Sequence, residues 1–136
     1  MQSSTQPAAA SKTSFWAGCV LSALVLLLFA FTSAFGLLKP DVAKQGFAHY
    51  GYPESAFLRI TILEIACAIV YAIPRTSILG AILLTGYLGG AVSTHVRAGE
   101  PFFLPIIVGV VVWLGLYLRD QRLRALVPLR SPKANA

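Results

Sequence analysis

The sequence predicts an all-α protein: a four-helix transmembrane bundle with up-down-up-down topology and both termini in the cytoplasm. Two features of the composition support this fold class, because 57% of the 136 residues are hydrophobic and only 12% are charged, against about 25% charged in soluble domains. The third observation is four apolar runs, each long enough to cross a hydrocarbon core of about 30 Å, which needs roughly 20 residues with about 17 tolerated. A single-domain, multi-pass membrane protein is therefore expected.

The first helix is predicted at about 15–38, the longest apolar run in the chain. Lys12 precedes this run, and the small residues Thr32 and Ala34 lie near its end, a layout that a cleaved signal peptide also has. The apolar part of a signal peptide has only about 7–15 residues, so this longer run is predicted to be a retained helix. Residues 1–13 are predicted to form a disordered tail.

The second and third helices are predicted at about 57–73 and 78–96. The segment before them, "KPDVAKQGFAHYGYPESA", contains two prolines and two glycines, so it is predicted to be the one substantial loop. The segment "PRTS" between the two helices predicts a tight turn, with Thr76 or Ser77 as the N-cap of the third helix. The two helices are therefore expected to form an antiparallel hairpin.

The fourth helix is predicted at about 102–118, after the segment "RAGEP". Pro101 precedes this helix and Pro105 lies in its first turn, where a proline costs no helical hydrogen bond. Together the four helices define one domain over residues 14–127. Residues 128–136 are predicted to form a basic C-terminal tail.

The distribution of basic residues predicts the orientation of the bundle in the membrane, because lysine and arginine are more frequent on the cytoplasmic side. With four spans, both termini lie on one side. The basic residues of that side are Lys12, Arg75, Arg119, Arg122, Arg124, Arg130 and Lys133. Those of the other side are Lys39, Lys44, Arg97 and, at a helix edge, Arg59. The larger group accompanies the termini, so both termini are predicted to be cytoplasmic.

The net charge of +6 does not indicate a nucleic-acid-binding protein. The basic residues lie at the edges of the apolar runs and form no stripe interleaved with aromatic side chains, so the expected partner is the lipid bilayer and not nucleic acid. Cys19 and Cys67 form no CxxC pair and no metal-ligand spacing, so no metal site is predicted. The sequence also contains no haem, iron–sulfur or dinucleotide motif, so no cofactor is identifiable, although quinone stays open.

Glu64 is the residue of the apolar runs that most requires an explanation. It lies seven residues into the second helix, roughly 10 Å below the outer edge at about 1.5 Å per residue. An unpaired charge at that depth costs on the order of 3 kcal/mol. The carboxyl group is therefore expected to be protonated, to pair with a donor on a neighbouring helix, or to line a wet cavity.

The predicted hairpin provides a partner for Glu64 on the third helix. Counting back from the turn places Tyr87 level with Glu64, so a hydrogen bond from the Tyr87 hydroxyl is the first expectation. Thr61, on the same face of the second helix, and Thr85 are further candidates. Any of these hydroxyl groups would lower the cost of burying the carboxyl group.

Two further features of the hairpin concern its packing and its polarity. Gly86 and Gly90 form a GxxxG pair, which is expected to let the second and third helices approach closely. Arg59, His95 and Arg97 are expected to form a basic cluster at the outer end, above the buried acid. Such a cluster could admit a small anion, a quinone head group or a proton, whereas a structural hydrogen-bond network is the simpler interpretation.

Five segments that cover nearly the whole chain beyond the N-terminal tail carry a resemblance. They are "GLLKP" (36–40), "GYP" (51–53), "ILEIACAI" (62–69), "IPRTSILGAILLTGYLGGAVSTHVR" (73–97) and "WLGLYLRDQRLRALVPLR" (113–130). Together they resemble the DoxX-like family of small bacterial membrane proteins. The resemblance implies a four-helix transmembrane bundle and places Glu64, Arg75, His95 and Arg97 at positions typical of the family. The family is named after a subunit of a thiosulfate:quinone oxidoreductase, and some members associate with oxidative-stress enzymes.

Three functions stay open at this point, and so does the question of whether the protein is an enzyme. The first is an accessory subunit of a membrane redox or stress-response complex, with membrane or redox proteins as partners. The second is a small transporter or proton-coupled channel that uses Glu64. The third is a quinone-linked membrane oxidoreductase. A homo-oligomer is compatible with each of these functions.

Overall fold

The computed structural model describes residues 11–127, and within this range the chain forms six α-helices and no strand. The helices are α1 (Lys12–Leu38), α2 (Pro40–His49), α3 (Glu54–Ala72), α4 (Ser77–Ala98), α5 (Phe103–Arg119) and α6 (Gln121–Leu126). The tails predicted at the two ends fall largely on residues 1–10 and 128–136, which lie outside the described residues. Of the predicted N-terminal tail, Lys12 already belongs to α1, because Ser11 caps the helix by accepting a hydrogen bond from the Ser14 N–H.

The helices have the surface and the interior of a membrane protein. α1, α3 and α4 are each long and apolar enough to cross a membrane, while α5 is apolar and has 17 residues. Large apolar side chains cover the outside, including Leu27, Phe31 and Leu104, each about two-thirds exposed. The buried polar side chains are Ser22, Ser33, Thr61, Glu64 and Ser77. Because lipid accepts apolar side chains and excludes polar ones, this distribution confirms the prediction of an all-helical membrane protein.

The four long helices form a ring in which α1 and α4 each contact both α3 and α5. The core between them contains Val25 and Phe29 of α1, Tyr71 of α3, Leu84 of α4 and Val112 of α5. The turn between α3 and α4 contains Ile73 to Thr76, and the Thr76 hydroxyl donates to the Val70 carbonyl. The predicted hairpin of the second and third helices therefore corresponds to α3 and α4.

Close helix contacts occur at glycines other than the predicted pair. A Cβ atom added at Gly80 would lie 2.3 Å from the Tyr71 backbone, and one added at Gly18 would lie 2.7 Å from the Gly115 carbonyl oxygen. A Cβ at Gly86 or Gly90 would meet no atom within 4 Å. The prediction that Gly86 and Gly90 form the close α3–α4 contact is therefore wrong. The two helices touch near their connecting turn, so their close approach lies at Gly80.

The segment predicted to be a loop over 39–56 contains a helix, α2. Pro40 occupies the first turn and Asp41 lies beside it, which is the arrangement that helix N-termini favour. Gly51 lies in the turn after α2 with φ +78°, a conformation that glycine adopts without strain. α2 packs against α1 and α3. Pro40 thus marks the start of a helix and Gly51 the turn after it. Only residues 50–53 lie between α2 and α3.

Candidate functional site

The candidate site begins from one face of α3. Its buried residues are Phe57, Thr61, Glu64, Cys67 and Tyr71. The intervals between them are four, three, three and four residues, which places them on one stripe of the helix that faces the interior of the bundle. Glu64 is 8% exposed. Its inward direction therefore follows from the position that it shares with four other core residues.

Two hydroxyl groups from two different helices satisfy the Glu64 carboxyl group. The Tyr87 hydroxyl of α4 donates to Oε2 at 2.9 Å, and the Thr32 hydroxyl of α1 lies 2.5 Å from Oε1. Phe29 packs edge-on against the Tyr87 ring, with the ring centroids 6.1 Å apart. The predicted hydrogen bond between Tyr87 and Glu64 is thus present. The carboxyl group joins α1, α3 and α4 at one point.

The other predicted donors do not reach the carboxyl group. The Thr85 hydroxyl donates to the Ala81 carbonyl and accepts a hydrogen bond from the Trp113 indole at 2.8 Å. Thr61 is buried on the same stripe as Glu64. Thr32 was predicted only as a small residue near a possible cleavage site, and its bond to Glu64 was not predicted. The sequence contained no signal for this pairing, because α2 and two connections separate α1 from α3 and leave their relative height open.

The end of the bundle at which α4 connects to α5, called the outer end after the predicted orientation, carries a neutralised cluster, not a basic one. Glu100 accepts hydrogen bonds from His49 Nε2 at 2.8 Å and from the Tyr50 hydroxyl at 2.6 Å. Arg97 donates to the Tyr50 carbonyl. Its guanidinium also lies over the Tyr52 ring, 5.6 Å from the centroid. His49, which belongs to this cluster, had no predicted role.

Two of the three predicted basic residues lie at this cluster. The His95 ring lies 5.3 Å from the Tyr50 ring, and Arg97 makes the contacts given above. Arg59 is exposed on α3, and along residues 11–127 it forms no hydrogen bond or ion pair. Within the described part of the chain, no contact joins Arg59 to His95 or Arg97. The α-helical position of Arg59, two residues after the buried Phe57, turns its side chain away from the bundle.

The hydrogen bonds at Glu100 set the protonation of the outer cluster. The bond from Tyr50, and after it the bond from His49, hold the pKa of the Glu100 carboxyl group below its usual range. The same bond raises the pKa of the Tyr50 hydroxyl, because ionised tyrosine could no longer donate to the carboxylate. Glu100 is therefore ionised at neutral pH and offsets the positive charge of Arg97.

A cavity of about 480 Å³ lies between α2, α3 and α4, next to the Glu64 site. Its outer end is lined by Tyr50, Tyr52, Thr94 and His95. The remaining lining residues are Ala43, Gly46, Phe47, Ile60, Leu63, Gly86, Tyr87, Gly90 and Ala91. Gly86 and Gly90 thus face open space in this cavity, which is the physical reason that no atom lies near their missing side chains. Tyr87 connects the cavity wall with the buried carboxyl group.

A second polar network lies at the inner end of the bundle. The Tyr71 hydroxyl donates to the Val112 carbonyl at 3.0 Å and lies 3.0 Å from the Ser22 hydroxyl. The Arg119 guanidinium lies over the Tyr71 ring, 5.2 Å from its centroid. Tyr71 therefore joins α3 to α1 and α5.

Within residues 11–127, no group of three or more His, Cys, Asp or Glu side chains is placed to hold a metal ion. Cys19 and Cys67 are free thiols. The chemistry available at the Glu64 site is thus that of one carboxyl group and two hydroxyl groups. These groups can donate, accept or pass on a proton.

One of three comparisons with known proteins gives a match, and it identifies a family. A model of the DoxX-like family matches residues 20–115, which is more than half of the chain. The matched range includes Thr32, Glu64 and Tyr87 and every residue that lines the 480 Å³ cavity. The comparisons with curated proteins and with solved structures gave no significant match. The chain is an integral membrane protein and belongs to the DoxX-like family.

Proposed function

We propose that the protein is a four-span protein of the bacterial inner membrane, with both termini cytoplasmic, that serves as an accessory subunit of a membrane redox or stress-response complex. The observation that carries this proposal is the closed environment of Glu64. Its two oxygens are engaged by hydroxyl groups of α1 and α4, and the group is not part of the lining of the neighbouring cavity. Such a carboxyl group stabilises the assembly of helices.

Two considerations support the four-span topology. α5 has 17 residues and, at about 1.5 Å per residue, a length of roughly 26 Å, which is close to the 30 Å of a hydrocarbon core. It contacts both α1 and α4, which are long enough to span, so it lies alongside them. With four spans, the basic residues near both termini lie on the cytoplasmic side.

A groove between α4 and α5 supports the association with another membrane protein. The groove has a volume of about 650 Å³ and is lined by Gly89, Val92, Gly109, Val110 and other mostly apolar residues. A Cβ at Gly89 would meet no atom within 4 Å. Small residues on the lipid-facing side of a transmembrane helix let a second helix approach its backbone. We therefore propose that one transmembrane helix of the partner occupies this groove.

Site-specific photo-crosslinking in native membranes tests this proposal. A photoreactive residue at Gly89 should give one adduct, identified by mass spectrometry as a protein of a redox or stress-response complex. The same residue at Leu24, which is exposed on α1, is the control and should not give that adduct. The Gly89→Leu variant should lose co-purification of the same protein in mild detergent. A chain that emerges alone and monomeric, or that crosslinks only to its own copies, would contradict the proposal.

A second candidate function, proton-coupled transport, has one observation in its favour. Tyr87 lines the 480 Å³ cavity and donates to Glu64, so a proton could pass from the cavity through the tyrosine hydroxyl to the carboxyl group. Reconstitution in liposomes tests this candidate by comparing the wild type with Glu64→Gln. Proton flux in the wild type that is lost in the variant would support transport, whereas equal flux or none in both proteins would exclude it.

A further inference from the structure

The 480 Å³ cavity between α2, α3 and α4 has the dimensions and the polarity of a site for an amphiphile. Its volume lies within the range of about 300–1,000 Å³ that ligand pockets occupy. Along α4 it extends from Gly86 to His95, which is roughly 13 Å at about 1.5 Å per residue. The polar lining lies at the outer end and the apolar lining deeper, including Leu63 and Ile60. This gradient runs in the same direction as that of a lipid in the outer leaflet.

Gly86 and Gly90 give this cavity its depth and its opening. They lie one helical turn apart, are exposed, and neither faces an atom within 4 Å. Any larger side chain at these positions would project into the cavity. Because the two glycines are exposed on the surface of α4, a molecule can reach the cavity sideways from the bilayer.

Each hydroxyl group of the cavity wall already donates its proton to another group of the protein. The Thr94 hydroxyl donates to the Gly90 carbonyl at 2.9 Å, so the Tyr52 hydroxyl, 2.8 Å away, is the donor to Thr94. Tyr50 donates to Glu100, as described above. Tyr87 donates to the Glu64 carboxyl group. Since each hydroxyl has one proton, the wall provides lone pairs and no free hydroxyl proton.

The His95 ring also donates its proton within the protein. Its Nδ1 lies 2.8 Å from the Ala91 carbonyl oxygen, which can only accept, so Nδ1 carries the proton. In the neutral imidazole, Nε2 is then an acceptor. The groups that remain free for a ligand at the outer end are therefore acceptors, namely His95 Nε2 and the Tyr52 oxygen. A head group that only accepts hydrogen bonds, such as an ester or an anion, therefore finds no hydroxyl donor in the cavity wall.

We propose that this cavity is a binding site for an amphiphilic alcohol taken up from the lipid phase. The hydroxyl head group donates to His95 Nε2 at the outer end. The apolar body lies along Gly86 and Gly90, with the end of its chain beside Leu63. The site does not depend on the accessory role, because the partner groove lies at Gly89 on a different face of α4.

Photolabelling of the purified full-length protein in lipid nanodiscs tests the proposal. The probe is a photoreactive analogue of farnesol, an isoprenoid alcohol, and the competitors are farnesol and its methyl ether, which lacks the hydroxyl proton. Labelled peptides should map to residues 43–63 and 86–95. Farnesol should compete on the order of 10-fold more effectively than the ether, which corresponds to one hydrogen bond. Equal competition by the two compounds, or labelling outside these segments, would overturn the proposal.

Two variants and a matched control make the result specific. Gly90→Leu fills the cavity and should reduce labelling on the order of 10-fold, whereas Gly89→Leu places the same side chain one residue away, outside the cavity, and should leave labelling unchanged. His95→Phe should retain labelling but bring farnesol and its ether to parity. Circular dichroism of each variant verifies the fold. Labelling of Gly90→Leu equal to that of Gly89→Leu, or an alcohol preference retained without His95, would contradict the proposed site.

Discussion

Substitution of Gly80 by alanine tests where α3 and α4 approach most closely. The new Cβ atom would lie 2.3 Å from both N and Cα of Tyr71, about 1.2 Å short of the 3.5 Å that carbon atoms need at contact. The neighbouring atoms belong to the backbone, so no side-chain rotation can relieve the overlap. Tyr71 is fully buried, and hydrogen bonds hold its hydroxyl against α1 and α5. The helices must therefore separate near the turn.

The magnitude follows from a comparison with Gly86→Ala. Overpacking of a core costs about 1–3 kcal/mol, and a contact with fixed backbone belongs at the upper end. Both substitutions also gain the helix propensity of alanine over glycine, about 1 kcal/mol. That gain cancels in the comparison because both glycines lie within α4. At Gly86 the added Cβ meets no atom within 4 Å, so only Gly80→Ala carries the cost of overpacking. We expect Gly80→Ala to be less stable than Gly86→Ala by about 3 kcal/mol.

The assay is equilibrium unfolding in mixed micelles with increasing SDS, followed by circular dichroism. The free energies of unfolding of the wild type, Gly80→Ala and Gly86→Ala are compared at the same lipid and detergent composition. Gly86→Ala should be at least as stable as the wild type. If the two variants agree to within about 0.5 kcal/mol, the assignment of the close contact to Gly80 is refuted. If Gly86→Ala is the weaker variant, the original GxxxG interpretation is restored.

Three further outcomes are expected. Tyr87→Phe should lower the free energy of unfolding by about 0.6 kcal/mol, which is the contribution of a single interhelical hydrogen bond. The same substitution should have no further effect when Glu64 is already replaced by leucine. An equal loss in both backgrounds would contradict the contact. Tyr71→Phe should cost more than Tyr87→Phe in the same assay, because it removes a bond to a carbonyl and leaves the buried Ser22 hydroxyl without its partner. Because the pKa of Glu100 is lower in the folded state, its stabilising bonds should persist at neutral pH and disappear as the pH falls below the ordinary value of 4.5. Hydrogen exchange of the amides at 49–52, corrected for the intrinsic rate, should rise in that range in the wild type and not in Glu100→Gln.

The long helices could be predicted from the sequence because the hydrocarbon core of a membrane requires helical backbone. A backbone in hydrocarbon must satisfy its own hydrogen bonds, so a run of about 20 apolar residues becomes a helix whatever surrounds it. The predicted starts and ends differ from α3, α4 and α5 by only a few residues. The segment that leaves this environment, residues 39–56, was the one assigned wrongly. Its hydropathy contains no signal, and its proline and glycine occur in helix caps as well as in loops.

The hydrogen bond between Glu64 and Tyr87 was also within reach of the sequence. A four-residue turn sets the register of two antiparallel helices, so residues equally far from the turn lie level with each other. Thr32 could not be paired in this way. α1 is separated from α3 by α2 and a second turn, so its height and its rotation about its own axis depend on the packing of the whole ring.

The sequence by itself determined that this chain is a helical membrane protein, where its long apolar helices lie, and that an acid in the second of the four predicted helices must turn inward. Only the tertiary structure decided which glycines touch a helix and which open onto a cavity, and which hydroxyl groups surround the acid. The physical reason is that hydropathy and turn length act on each helix or hairpin separately. The rotation of one helix against its neighbours is a property of all the contacts in the bundle together.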